Sequence, residues 1–299
     1  MKKDKTGEEI VKTFSGIFLL VFLFPCAGLF AMDWPSPSAQ IRMNFGWNDG
    51  GLPHLGVSFD ADGSLAAAEK GELLYRRTED DTASRLPSPL GSWIALDHGD
   101  GIISVYSRFD ADNPAPVQED VEKGGTVGES GNSGWSSKKG FYFQLFDRKE
   151  RRWINPSMII TAPDDTRPPA ILSVKLADAQ GKIIDPSQVK NVSQGRYSIL
   201  VEAIDTMRSA NENPLAPFRI ICTLNGSEAG TINFDTYSAR DGSLMVYRNG
   251  LIPVRQVYAP VPAYEAADVW FSRGQTTLEI IAQDIAGNSR SVVFRFQVE

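Results

Sequence analysis

The sequence predicts an all-β protein built as two antiparallel domains in tandem. From Ile41 to about Thr161, short apolar runs alternate with Gly, Pro, Asn and Asp, as in "WIALDHGDGIISVYSRF", and no segment sustains a helical period. The polar, proline-rich stretch "APDDTRPPA", residues 162–170, then interrupts the pattern and reads as a linker. From Ile171 to Glu299 strand signals resume and close on a hairpin.

Ahead of both domains, residues 1–31 read as an export leader. Lys2, Lys3, Lys5 and Lys12 precede an apolar run from Phe14 to Ala31, and cleavage is expected after Ala31. Pro25 interrupts the run, which is short for a comfortable membrane span. A retained anchor, or acylation at Cys26, is the alternative, and either gives the chain its only expected hold on a membrane. The expected location is exported, in the periplasm or cell envelope. Without the leader, Cys222 is the single cysteine, so neither a disulfide nor a cysteine-based zinc site is available, and "FRIICTL" places it in a strand core. A formal charge of −7 with no Lys/Arg-dense patch excludes a general nucleic-acid binder.

The first domain, residues 32–161, contains one suggestive stretch, "VEKGGTVGESGNSGW", which leads into the alternating run "GFYFQLF". It lacks the lysine of a phosphate-binding loop, so its glycines are assigned to turns. "FDADG" has no glutamate at calcium-loop spacing and reads as a polar turn. His54 and His98 are the only histidines, and neither accompanies a nucleophile-elbow pattern. His98, in "LDHGDG", reads as a turn residue at a strand end.

Six stretches in order, "NFGWNDGGLPHLGVSF", "AAAEKGELLY", "WIALDHGDGIISVYSRF", "VEKGGTVGESGNSGW", "GFYFQLF" and "WINPSMII", resemble the lysostaphin/LytM-type zinc endopeptidases of peptidase family M23. Those enzymes cut peptide cross-bridges in bacterial peptidoglycan, and the resemblance implies a LytM-like antiparallel β domain. In active relatives zinc is held by the histidine and aspartate of H-x-x-x-D and by the second histidine of an H-x-H strand. Two further histidines assist, one in Y-x-H and one opening the H-x-H. Three protein ligands leave an open position where bound water is acidified.

By that resemblance the chain is a degenerate member. His54 keeps the first ligand position, but Ser58 stands where the aspartate belongs and Tyr142 where the strand histidine belongs. Arg108 and Gly140 occupy the positions of the assisting histidines. No cofactor is therefore expected, although zinc serves the active relatives. His54, Ser58, Arg108 and Tyr142 are candidates for a binding groove, the arginine suiting a carboxylate and the tyrosine stacking. The preferred reading at those positions is nevertheless drift, with Arg108 pointing to solvent and Tyr142 plugging the hole. The leading functional reading is a non-enzymatic binding or regulatory module for peptidoglycan or a cell-wall hydrolase. One alternative is an active metallo-endopeptidase with a rearranged site built from His54, Asp60 and His98. Another is a purely structural envelope protein.

The second domain, residues 171–299, carries "ILSVKLAD", "RYSILVEAID", "FRIICTLNG" and "TTLEIIAQDIAGNSRSVVFRFQVE". Their spacing predicts an immunoglobulin-like or fibronectin-like β-sandwich, expected to fold alone. Its final hairpin turns across Asp284 to Asn288, where Gly287 and Asn288 are expected to take positive φ. Asn191-Val192-Ser193 and Asn225-Gly226-Ser227 match glycosylation acceptors by a pattern too common to assign a role.

Overall fold

Strands Gly71–Arg77, Trp93–Asp97, Ile102–Ser107 and Phe141–Asp147 lie side by side, antiparallel, in the first half of the computed structural model. The structure describes residues 32–79, 86–112, 118–161, 165–206, 213–260 and 263–299. The expected leader and the start of the expected linker, 162–164, lie outside them. Val57–Asp60 pairs with the start of Phe141–Asp147, and Gln40–Met43 flanks Val57–Asp60. Alternation explains the packing: Phe141, Phe143 and Leu145 share one face and are fully buried with Val57, Leu96 and Tyr106. Tyr142 and Gln144 therefore point to the opposite face.

The second half is a two-sheet sandwich. Ala170–Asp178, Gly195–Ile204 and Tyr264–Phe271 form one sheet. Arg219–Leu224, Ser227–Arg240, Gly274–Gln283 and Ser289–Val298 belong to the other, and Asn191–Val192 runs parallel to the last of these. Inward residues of both sheets, among them Ile199, Val201, Ile220, Phe234 and Ile280, make the core. Cys222 lies in it, fully buried. Ala170 already pairs with Ile204, so the strand starts inside the expected linker. In the final turn Gly287 has φ +94°, whereas Asn288 is not among the positive-φ residues. Asn288 instead closes the turn by donating its backbone N–H to Asp284 Oδ1 at 2.8 Å.

The structure differs from the sequence reading in how the halves are joined. Arg152–Ile154 pairs on one side with Phe141–Asp147 and on the other with Ser227–Arg240, in the register Arg152–Ser238, Trp153–Tyr237, Ile154–Thr236. One sheet thus runs through both halves, and the described residues fall in a single compact unit. The reason is edge satisfaction: the short 152–154 strand has a free hydrogen-bonding side, and the long 227–240 strand supplies the partner.

Residues 44–48 are embedded in the same junction. Phe45 is buried in the sandwich core, 5.0 Å from the Tyr237 ring. Asn44 exchanges hydrogen bonds of 2.9 and 2.7 Å with the backbone of Ala216, and Asn48 Nδ2 donates to the Ala263 carbonyl at 3.0 Å. The hydroxyls of Tyr258 and Tyr264 donate to the Gly46 carbonyl at 2.8 and 3.3 Å. This segment leads directly to His54.

Candidate functional site

His54 is held from the backbone outward. Its N–H donates to the Trp47 carbonyl at 2.9 Å and its carbonyl accepts from Gly46 N–H at 2.9 Å, so the sandwich tyrosines that grip Gly46 also position His54. Ser58 and Tyr142 face each other across neighbouring strands, with Tyr142 opposite Ser107 on its other side. Arg108 follows the Ile102–Ser107 strand at φ +69°, a left-handed conformation that costs a non-glycine residue roughly 1 kcal/mol or more. Side chains from three separate segments, 54–58, 108 and 142, thus come together.

The four side chains contact one another. His54 Nε2 lies 3.0 Å from Ser58 Oγ, and Arg108 Nη1 donates to the same oxygen at 3.2 Å. With the guanidinium donating, the serine hydroxyl proton is left for the unprotonated His54 nitrogen. The His54 and Tyr142 rings are 4.9 Å apart, and the Arg108 guanidinium carbon sits 5.1 Å from the centre of the Tyr142 ring, in the range of a cation–π contact. Arg108 Nε is buried and has no partner among the described residues.

The electrostatics are cationic. Burial, then Arg108, then Arg42 push the His54 imidazole down to about 3, so it is neutral at ordinary pH. Burial raises the Tyr142 phenol above its usual value despite the nearby Arg108. Burial, with repulsion from Arg42, lowers Arg108.

Zinc does not fit this donor set. Of the three family ligand positions only His54 offers a metal-binding atom of the usual kind. Ser58 has its hydroxyl committed to His54 and Arg108. The Tyr142 hydroxyl accepts from Gln144 Nε2 at 2.8 Å and is held neutral, whereas a good ligand would be the phenolate. A permanent guanidinium charge occupies the same space and opposes a second cation there.

The remaining candidates lie apart. Asp60 pairs with Arg42 at 2.9 Å. His98 is buried between the Lys70 carbonyl, 2.7 Å from Nδ1, and Ser104 Oγ, 2.6 Å from Nε2. It is a satisfied strand-end residue. The rearranged site built from His54, Asp60 and His98 is not assembled: among the described residues the only His/Cys/Asp/Glu group within ion-sharing distance is Asp165, Asp205 and Asp284, in the second half. Gly140 is sterically required, because a Cβ there would lie 2.0 Å from the Phe59 carbonyl oxygen.

Three contributors escaped the sequence reading. Gln144 anchors Tyr142 and reaches the Leu55 carbonyl at 3.3 Å; its position two residues beyond Tyr142 on one strand was the available signal. Gly56 lets the 56–58 backbone close on the Tyr142 ring, since a Cβ there would come within 2.7 Å of Tyr142 Cε2. Arg42 adds positive charge from the outermost strand, and nothing local in the sequence marks it.

A family model, Peptidase family M23, matches residues 52–156, and a second family model matches residues 168–299. Comparison with curated proteins returned no match. Among solved structures, the chain is similar to a point mutant of the catalytic domain of the prophage-encoded M23 protein EnpA from Enterococcus faecalis, at 22% identity over 40% of this chain and 88% of that one, TM-score 0.33. It is similar to the catalytic domain of lysostaphin from Staphylococcus simulans, at 21% identity over 37% of this chain and 81% of that one, TM-score 0.31. It is also similar to a chain of the SpoIIQ–SpoIIIAH pore-forming complex, at 16% identity over 44% of this chain and 90% of that one, TM-score 0.35.

Proposed function

We propose, from the premise that residues 52–156 are a domain of peptidase family M23, that this protein is an exported, non-hydrolytic module that binds the cell wall. The observation that carries the reading is the mutual contact of His54, Ser58, Arg108 and Tyr142, in which the residues at the zinc-ligand positions are engaged with one another and with a guanidinium. A metal-loaded hydrolase needs an open coordination position and groups to move a proton. Here Ser58 and a neutral Tyr142 stand at two of the three ligand positions, and Arg108 and Gly140 stand where the proton-handling groups would be. Export rests on the leader pattern of residues 1–31. The partner is peptidoglycan, or a wall hydrolase working on it, and the sandwich contributes by holding the 44–54 segment in place.

The test pairs two measurements on the purified chain. Zinc content by elemental analysis is expected well below one per chain, with no release from dye-labelled cell walls. Co-sedimentation with protein-free sacculi is expected to remove the chain from solution. Stoichiometric zinc with wall lysis would establish an enzyme, and absence of both lysis and co-sedimentation would favour a structural envelope role.

A further inference from the structure

Away from His54, the first half carries exposed aromatic side chains, Trp135 and Tyr75. Trp135 is 75% exposed, although the loop beneath it is tightly tied. Its backbone N–H donates to the Pro89 carbonyl at 3.2 Å, Gly134 N–H donates to Glu79 Oε1 at 2.8 Å, and Ser133 Oγ, buried, accepts from Ser92 N–H at 3.0 Å. Gly91 and Gly134, at φ +65° and +70°, press backbone to backbone, so that a Cβ on either would lie 2.4 Å from the nitrogen of the other. An exposed indole on a loop tied at several points presents a large contact face.

The surroundings define what that face suits. Trp135 stands at a pocket of about 270 Å³ lined by Arg77, Glu79, Ser88, Pro87 and the two glycines. That volume is below the range for a drug-sized organic ligand, and apart from the indole and Pro87 the lining is polar or bare backbone. An apolar side chain from a protein partner finds no apolar socket there. A pyranose ring suits such a surface, because its C–H face stacks on an aromatic ring while its hydroxyls reach polar groups at the rim; of these, Arg77 also donates to the Leu86 carbonyl, Glu79 Oε1 accepts from Gly134 N–H and Ser88 Oγ accepts from Leu90 N–H at 3.2 Å. A second aromatic station lies along the same surface: Arg77 is directly opposite Trp93 in the ladder, and Tyr75, two residues back on the same face, packs its ring 4.9 Å from Trp93. Two aromatic stations sharing one arginine fit a ligand that repeats its sugar unit.

We propose that Trp135 and Arg77, continued by the Tyr75–Trp93 pair, bind the glycan strand of the wall polymer. The identity of the polymer rests on the wall-binding reading above; the sugar class rests on this surface alone. The test uses the purified full chain, Trp135→Ala, and Trp270→Ala as a control at an exposed tryptophan of the second half. Each is titrated calorimetrically with N-acetylglucosamine tetramer and sedimented with protein-free sacculi. The expected result is that the unaltered chain and Trp270→Ala bind the tetramer while Trp135→Ala binds at least about tenfold more weakly, the loss of one anchoring aromatic. Sacculus binding is expected to weaken in parallel. Equal tetramer binding by Trp135→Ala, or none by the unaltered chain, overturns the glycan platform. If sacculi still capture the chain in that case, the wall-binding reading stands without it. If Trp135→Ala loses only the affinity for a purified wall hydrolase while the sugar titrations are flat, the surface is a protein interface and the assignment is wrong.

Discussion

Acid should destabilise this protein through His54 in a way that one substitution can isolate. The folded-state imidazole is depressed from 6.5 to about 3 by burial first and by Arg108 and Arg42 after it. The sign follows from proton binding: below pH 6.5 the unfolded chain takes up a proton at His54 that the folded chain refuses until about pH 3. The contribution is therefore fully present above pH 6.5 and is lost as the pH falls towards 3. At pH 4 the full linkage corresponds to about 3 kcal/mol. The ring retains part of its hydration, so a measured value between ~1 and ~3 kcal/mol is expected. The assay is urea denaturation at pH 7.5 and pH 4 for the unaltered chain and for His54→Gln, whose amide still meets Ser58 but does not titrate. Carboxylates elsewhere contribute equally to both and cancel in the difference. The unaltered chain should lose ~1–3 kcal/mol more than the variant between the two pH values. Identical losses, or a larger loss in the variant, would show that His54 is not held neutral against the two arginines.

Tyr142→Phe removes the acceptor for Gln144 Nε2 and should cost about 1 kcal/mol in chemical denaturation, with the ring packing kept. Ser58→Asp combined with Tyr142→His should give zinc binding detectable by titration, since a His/Asp/His set is then aimed at one point; absence of any binding would mean that the site rearranges. Adding Gly140→His to that pair should lower the melting temperature or abolish soluble expression, because the new Cβ meets the Phe59 carbonyl at 2.0 Å. A chain ending at residue 161 should lack a cooperative thermal transition by circular dichroism, since it strips Phe45 of its core and leaves Arg152–Ile154 with an open edge. A fully cooperative fragment would show the junction to be dispensable.

Much of the candidate site was legible because its geometry is local. The period of two on the Phe141–Asp147 strand places Tyr142 and Gln144 on the face opposite Phe141 and Phe143, and Ser58 meets Tyr142 by strand register. What could not be read was what each substituted residue does on arrival. An arginine at position 108 could equally have pointed to solvent; its guanidinium lies over the Tyr142 ring because the backbone turns left-handed there and the pocket holds a hydroxyl to receive it. The aptness of Gly140 is also invisible in one dimension, because the obstacle is the carbonyl of Phe59, a residue far earlier in the chain.

The sequence by itself determined the all-β class, the run of strands in both halves and the occupants of the family positions. Alternation, turn chemistry and motif order are properties of neighbouring residues, and side chains write them directly. Only the tertiary structure decided that Arg152–Ile154 joins the two halves into one sheet, that Phe45 belongs to the second core, and that Tyr258 and Tyr264 hold the segment leading to His54. Those outcomes rest on backbone hydrogen bonds between segments distant in the chain. A free strand edge offers the same N–H and C=O groups whatever its side chains, so its partner is chosen only when the fold brings another edge alongside.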